Sequence, residues 1–75
     1  MENFTELEAK AKAGDPVAQY ELGEIYQTGD EVPVNLERAF KWYSLSAEQG
    51  FIAAVVCVTK MHAQGEELGL SGFSE

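Results

Sequence analysis

The stretch Ala13-Gly14-Asp15-Pro16-Val17-Ala18-Gln19-Tyr20-Glu21-Leu22-Gly23-Glu24-Ile25-Tyr26 decides the fold of this chain. Asp15 is a natural helix N-cap and Pro16 a natural first helical residue. Behind them Ala18, Leu22, Ile25 and Tyr26 recur at i, i+4, i+7 and i+8, one apolar stripe of a 3.6-residue period. Gly29 supplies a left-handed stop, and the turn-rich Gly29-Asp30-Glu31-Val32-Pro33 follows. Asn35 then caps a second helix with the stripe Leu36, Ala39, Phe40, Tyr43 and Ala47, which Gly50 ends. The two lengths suit an antiparallel helix pair.

Sliding the chain along itself shows that this pair is a repeat. Gly14 and Gly50 stand 36 residues apart, and the same shift pairs Phe4 with Phe40, Ala11 with Ala47 and Ala18 with Ala54. It continues through Gly29 with Gly65 and Glu31 with Glu67, with conservative pairs such as Leu22 with Val58 and Ile25 with Met61 between them. A fixed period of this size is the mark of stacked supersecondary units. Residues 3–13, with Phe4, Leu7 and Ala11 on one face, read as the second helix of a truncated first unit. Residues 14–50 form a full repeat and 51–71 a degenerate terminal one, with 72–75 as tail. The expectation is an all-α fold, a short right-handed helical-repeat stack of about four helices with a loose C-terminal tail.

The same residues resemble the Sel-one-like repeats, a subfamily of the tetratricopeptide-repeat superfamily. The resemblance rests on the stretch from Ala13 to Tyr26, on Gly29 and the Val32-Pro33 pair, and on Ala39-Phe40-Lys41-Trp42-Tyr43 with Ala47-Glu48-Gln49-Gly50. It covers one repeat closely and residues 3–14 and 51–71 less well. The family's turn glycine after Gly29 is Glu31 here, so that turn is expected to find another geometry. In the second unit Leu-Gly becomes Val58-Thr59 and the tyrosine becomes His62. What the resemblance implies is protein–protein interaction, as a scaffold or adaptor without chemistry of its own.

Composition narrows the function independently. Thirteen acids against five bases give a formal net charge of −8, which repels a phosphate backbone, and no single helix carries a basic stripe. Nucleic acid is therefore not an expected partner. No apolar run approaches the roughly 20 residues that span a bilayer. The start Met1-Glu2-Asn3-Phe4-Thr5-Glu6 has acid where a signal peptide needs base. The default location is the cytoplasm, with no membrane association.

Convergent catalytic groups are missing from the pattern, so no enzyme, cofactor or metal site is expected. Cys57, the one cysteine, sits in the apolar run Ala53–Val58 and reads as a packed small residue. Cys57 and His62 lie about 140° apart around a helix and do not face each other. Gly23, mid-helix, reads as a close-packing position.

A binding face is expected on the first helix of each unit. The positions that the repeat pattern leaves free there are Glu21, Glu24 and Gln27, with Cys57, Lys60 and Gln64 in the second unit; the protein-binding residues are read as Glu21, Glu24, Gln27, Lys60 and Gln64. A second surface follows from the 51–64 helix, which is nearly apolar all round and lacks its partner helix. Val55, Val58 and Met61 need a cover, and the options are the tail through Leu68, Leu70 and Phe73, self-association, or a different protein. Two functions stay open: an adaptor that holds a peptide or helix, or an acidic inhibitor or immunity-type protein that blocks a basic partner.

Overall fold

The computed structural model of the protein describes residues 3–67. Four helices follow one another: α1 (Phe4–Lys12), α2 (Pro16–Thr28), α3 (Leu36–Glu48) and α4 (Ile52–Glu67). The all-α architecture expected from the sequence is what the chain adopts. The tail 72–75, residues 68–71 of the last unit, and with them the cover offered by Leu68, Leu70 and Phe73, lie outside the described residues.

Side chains set the helix starts. Asn3 Oδ1 accepts from the Glu6 N–H at 2.8 Å, and Asp15 Oδ1 from the Val17 and Ala18 N–H groups at 2.9 and 3.3 Å. Asn35 Oδ1 accepts from the Arg38 N–H at 3.1 Å. Each of these carboxamide or carboxylate oxygens satisfies donors that the first turn leaves free. The units also stop alike: Gly14 and Gly50 share a left-handed conformation, φ 106° and 86°, which glycine adopts without a side-chain penalty.

Each helix packs on its sequence neighbour, α2 on α1 and α3 and α4 on α3. Hydrogen bonds fix the antiparallel sense of α2 and α3. Near the end of α3, Ser46 Oγ donates to the Pro16 carbonyl at 2.7 Å and Gln49 Nε2 to the Gly14 carbonyl at 2.9 Å. At the other end Arg38 lies over the Tyr26 ring, 5.7 Å from its centroid. Between α1 and α2 the core holds Leu7, Ala11, Ala18 and Leu22. Tyr26, Ala39, Tyr43 and Met61 form a second cluster, and Phe4 and Trp42 pack against both.

Two expectations need correction. Leu36, placed on the apolar stripe of α3, is 42% exposed; it is the first residue of that helix, directly after the cap, and the buried stripe begins at Ala39. The turn after Gly29 does not find another geometry. Glu31 takes the left-handed conformation that a glycine would adopt freely, with φ 69°, at the cost of a strained non-glycine residue.

Candidate interaction surface

One turn of α1, the exposed side of α2 and the loop after it enclose a cleft of about 520 Å³. Leu7 and Ile25 give it apolar walls, and Glu21, Glu24, Asp30 and Glu31 bring four carboxylates, with Thr28 between them. Glu21, Glu24 and Thr28 share one face of α2 because they recur at i, i+3 and i+7. Asp30 and Glu31 reach the same cleft because Gly29 turns the chain back at the end of α2, its N–H bonded to the Ile25 carbonyl at 2.9 Å.

The carboxylates are spread along the cleft rather than gathered at a point. Among the described residues no three His, Cys, Asp or Glu side chains are placed to hold a metal ion. Spaced negative charges beside the half-buried Ile25 are complementary to a segment that carries several ammonium or guanidinium groups and an apolar residue.

The five residues singled out as a binding face do not stay together. Glu21 and Glu24 line the cleft and are exposed. Gln27 turns to α3, where its Oε1 accepts from the Tyr43 hydroxyl at 2.8 Å. Lys60 and Gln64 are exposed on α4 and are not among the cleft residues. Leu7, Ile25, Asp30 and Glu31 were not part of the sequence-based face. They come from an apolar stripe and a turn, and only the fold brings them beside Glu21 and Glu24.

Beside Gln27 lies a cluster of phenols. The Tyr20 ring packs on Tyr43 at 5.6 Å and on Phe51 at 5.3 Å between centroids. Burial pushes the Tyr43 hydroxyl well above the ordinary phenol range, and Cys57 and Glu24 add to the effect. The Tyr20 hydroxyl is raised for the same reasons, desolvation first and then Glu24 and Cys57. Cys57 is half-buried against the second core cluster, in keeping with its reading as a packed residue. His62 is half-buried as well.

A cleft of opposite sign lies between α1 and α3. Lys12, Arg38 and Lys41 line it with Glu8 and Trp42, around about 450 Å³. No helix has a basic stripe by itself, as the sequence indicates. The packing of both α1 and α3 on α2 gathers three of the five bases between them. Trp42 belongs to this wall and to the core at once.

Comparison with known proteins addresses the repeat itself. Residues 16–51 match the family model described as the Sel1 repeat. A sel1-like repeat-containing protein of Acanthamoeba polyphaga mimivirus is 46% identical over 39 residues, which is 52% of this chain and 7% of that protein. The chain thus spans a small fraction of the length of that relative. No solved structure matches the chain. Among the described residues no helix is long and apolar enough to cross a membrane.

Proposed function

Because the chain belongs to the Sel1-like repeat family through its unit at residues 16–51, and Sel1 repeats are protein–protein interaction modules, we propose that it is a non-catalytic adaptor. Its ligand is a basic segment of a partner protein, seated in the acidic cleft between α1 and α2. The observation that carries this reading is the combination in one cleft of Leu7 and Ile25 with Glu21, Glu24, Asp30 and Glu31. Apolar contact supplies affinity there, and the carboxylates select the sign of the partner and speed its approach. None of the bases Lys12, Arg38 and Lys41 lines the acidic cleft, so the charged side chains the partner meets in its walls are all carboxylates.

The net charge of −8 favours a second reading, an acidic inhibitor or immunity-type protein that blocks a basic protein by charge. Salt separates the two, since screening removes binding that rests on exposed charges and spares an apolar anchor. Selection of random peptides displayed on phage against the immobilised chain tests the proposal. The expected winners combine Lys or Arg with a large apolar residue, persist in high salt, and fail on a Glu21→Lys, Glu24→Lys variant. Winners lost entirely in high salt favour the inhibitor. Winners indifferent to the variant, or no enrichment at all, contradict the adaptor at this cleft.

A further inference from the structure

Among the described residues no helix lies on one face of α4, and the internal repeat says what kind of surface it is. Every α4 residue up to Gln64 stands 36 positions after a counterpart in α2. The inner faces correspond: α2 sets Ala18, Leu22 and Ile25 into the first core cluster, toward α1. α4 buries Ala54 and Met61 and packs Val58 against the cluster that includes Ala39 and Tyr43 of α3. Met61 and Val58, two residues expected to need a cover, therefore receive it from α3.

The other face of α2 is the one that α3 covers. Its residues are Pro16, whose carbonyl accepts from Ser46, Gln19, whose Oε1 accepts from Gln49, and Gln27, bonded to Tyr43. Tyr20 and Gly23 complete it, both against the Tyr43 ring. Their counterparts in α4 are Ile52, Val55, Val56, Thr59 and Ala63, and all five are exposed. Ile52 is 72%, Val56 46% and Val55 40% exposed. Where α2 has the buried Gln19 and a Gln27 that stays exposed while bonded to Tyr43, α4 has Val55 and Ala63, so its face is the more apolar of the two. A contiguous apolar stripe on a helix that already has a buried side marks an interaction surface.

We propose that this stripe pairs with itself on a second copy of the chain, α4 against α4 in antiparallel sense, about a two-fold axis that passes between residues 57 and 58. A helix resembling α3 does not fit the same register. On α2 the Tyr43 ring occupies the space of the missing side chain at Gly23, where a β-carbon would stand 2.6 Å from the ring. Thr59 fills the equivalent space with a branched side chain, so the occupant must offer no ring at that point. The α4 stripe meets this condition. The two-fold sets Ile52 against Ala63 of the partner copy and Val56 against its Thr59, a large residue meeting a small one at either end, as an isologous contact requires.

Charge selects the same surface. Two chains of net charge −8 repel, and between positions 52 and 64 there is no Asp or Glu, whereas Lys60 is basic. Approach through α4 keeps the carboxylate-bearing cleft out of the contact, since the two surfaces share no residue. The stripe from 52 to 63 is only about 16 Å long, less than a standard interface of about 800 Å² per partner supplies. The dimer is accordingly weak and forms as concentration rises.

Sedimentation velocity of the chain over a concentration series tests this. The expected mass rises from 8.2 kDa toward twice that value. Val56→Lys, and separately Ile52→Glu, hold the monomer mass at every concentration with an unchanged circular dichroism spectrum. In a Cys57→Ser background, an Ile52→Cys chain mixed with an Ala63→Cys chain forms the mixed disulfide at least several-fold faster than either variant links to itself. A monomer throughout the series overturns the proposal, as does a dimer unaffected by both charge variants. Faster self-linking at position 52 overturns the antiparallel arrangement.

Discussion

The ring of Tyr43 stands where a side chain at position 23 would be: a β-carbon built on Gly23 meets Tyr43 Cδ1 and Cε1 at 2.6 Å. Gly23 is buried in mid-α2 and Tyr43 is 1% exposed, so neither yields easily. On helix propensity alone, Gly23→Ala stabilises by about 1 kcal/mol. Overpacking costs about 1–3 kcal/mol in a core that cannot move aside. The expected net effect is destabilisation, read as a lower denaturant midpoint at unchanged slope. A stabilised variant would mean that α2 and α3 are not in this close contact.

Gln19 ties three helices together. It is 5% exposed, its Nε2 donates to the Ala11 carbonyl at 3.0 Å, and its Oε1 accepts from Gln49 at 3.0 Å. Gln19→Met keeps the shape and gives up both bonds, at a cost of about 1–2 kcal/mol. Gln19→Glu costs more at neutral pH, because an ionised carboxylate has no proton for the Ala11 oxygen. Its deficit should shrink as pH falls and the carboxyl becomes a donor. Urea unfolding of both variants at two pH values checks the order and the trend.

Glu31 holds a left-handed conformation at φ 69° and also lines the acidic cleft. Relief of that backbone strain is worth roughly 1–2 kcal/mol, less the roughly 0.4–1 kcal/mol by which glycine loosens the unfolded chain. Glu31→Gly should therefore raise the thermal midpoint while weakening the binding of a basic peptide. Equal or tighter peptide binding by the variant would remove Glu31 from the site.

The phenols make the fold sensitive to alkali. Burial raises the Tyr43 and Tyr20 hydroxyls above the model-peptide range, so the folded state keeps protons that the unfolded state gives up. Stability from this source is complete below about pH 10, the unfolded phenol value. It declines above that, because the native state then binds more protons than the unfolded one. Tyr43→Phe should flatten the decline even if it lowers stability at neutral pH by loss of the bond to Gln27. Denaturation curves from pH 8 to 11 measure it.

The sequence carries the fold because its signals are local and recur. Asp15, Asn35 and Asn3 cap the helices from their own first turns, and the 36-residue shift marks equivalent faces. Gly23 is legible as a contact point, since a mid-helix glycine is costly unless something needs the space. The cleft is less legible. Its walls come from α1, α2 and the Asp30-Glu31 turn, and no helical spacing joins Leu7 to Glu31. The basic cleft hides for the same reason, with Lys12 on one helix and Arg38 and Lys41 on another. Gln27 shows the converse. Helical spacing leaves it free, and a hydrogen bond from a residue 16 positions away claims it.

Binding of a basic segment between α1 and α2 is read out by an NMR titration of the isotope-labelled chain with a selected basic peptide. The predicted result is a saturable set of amide shifts centred on Leu7, Glu21, Glu24, Thr28, Asp30 and Glu31, absent from the Glu21→Lys, Glu24→Lys variant. Shifts centred instead on Arg38 and Lys41, or on α4, or scattered over the whole surface without saturation, would contradict it.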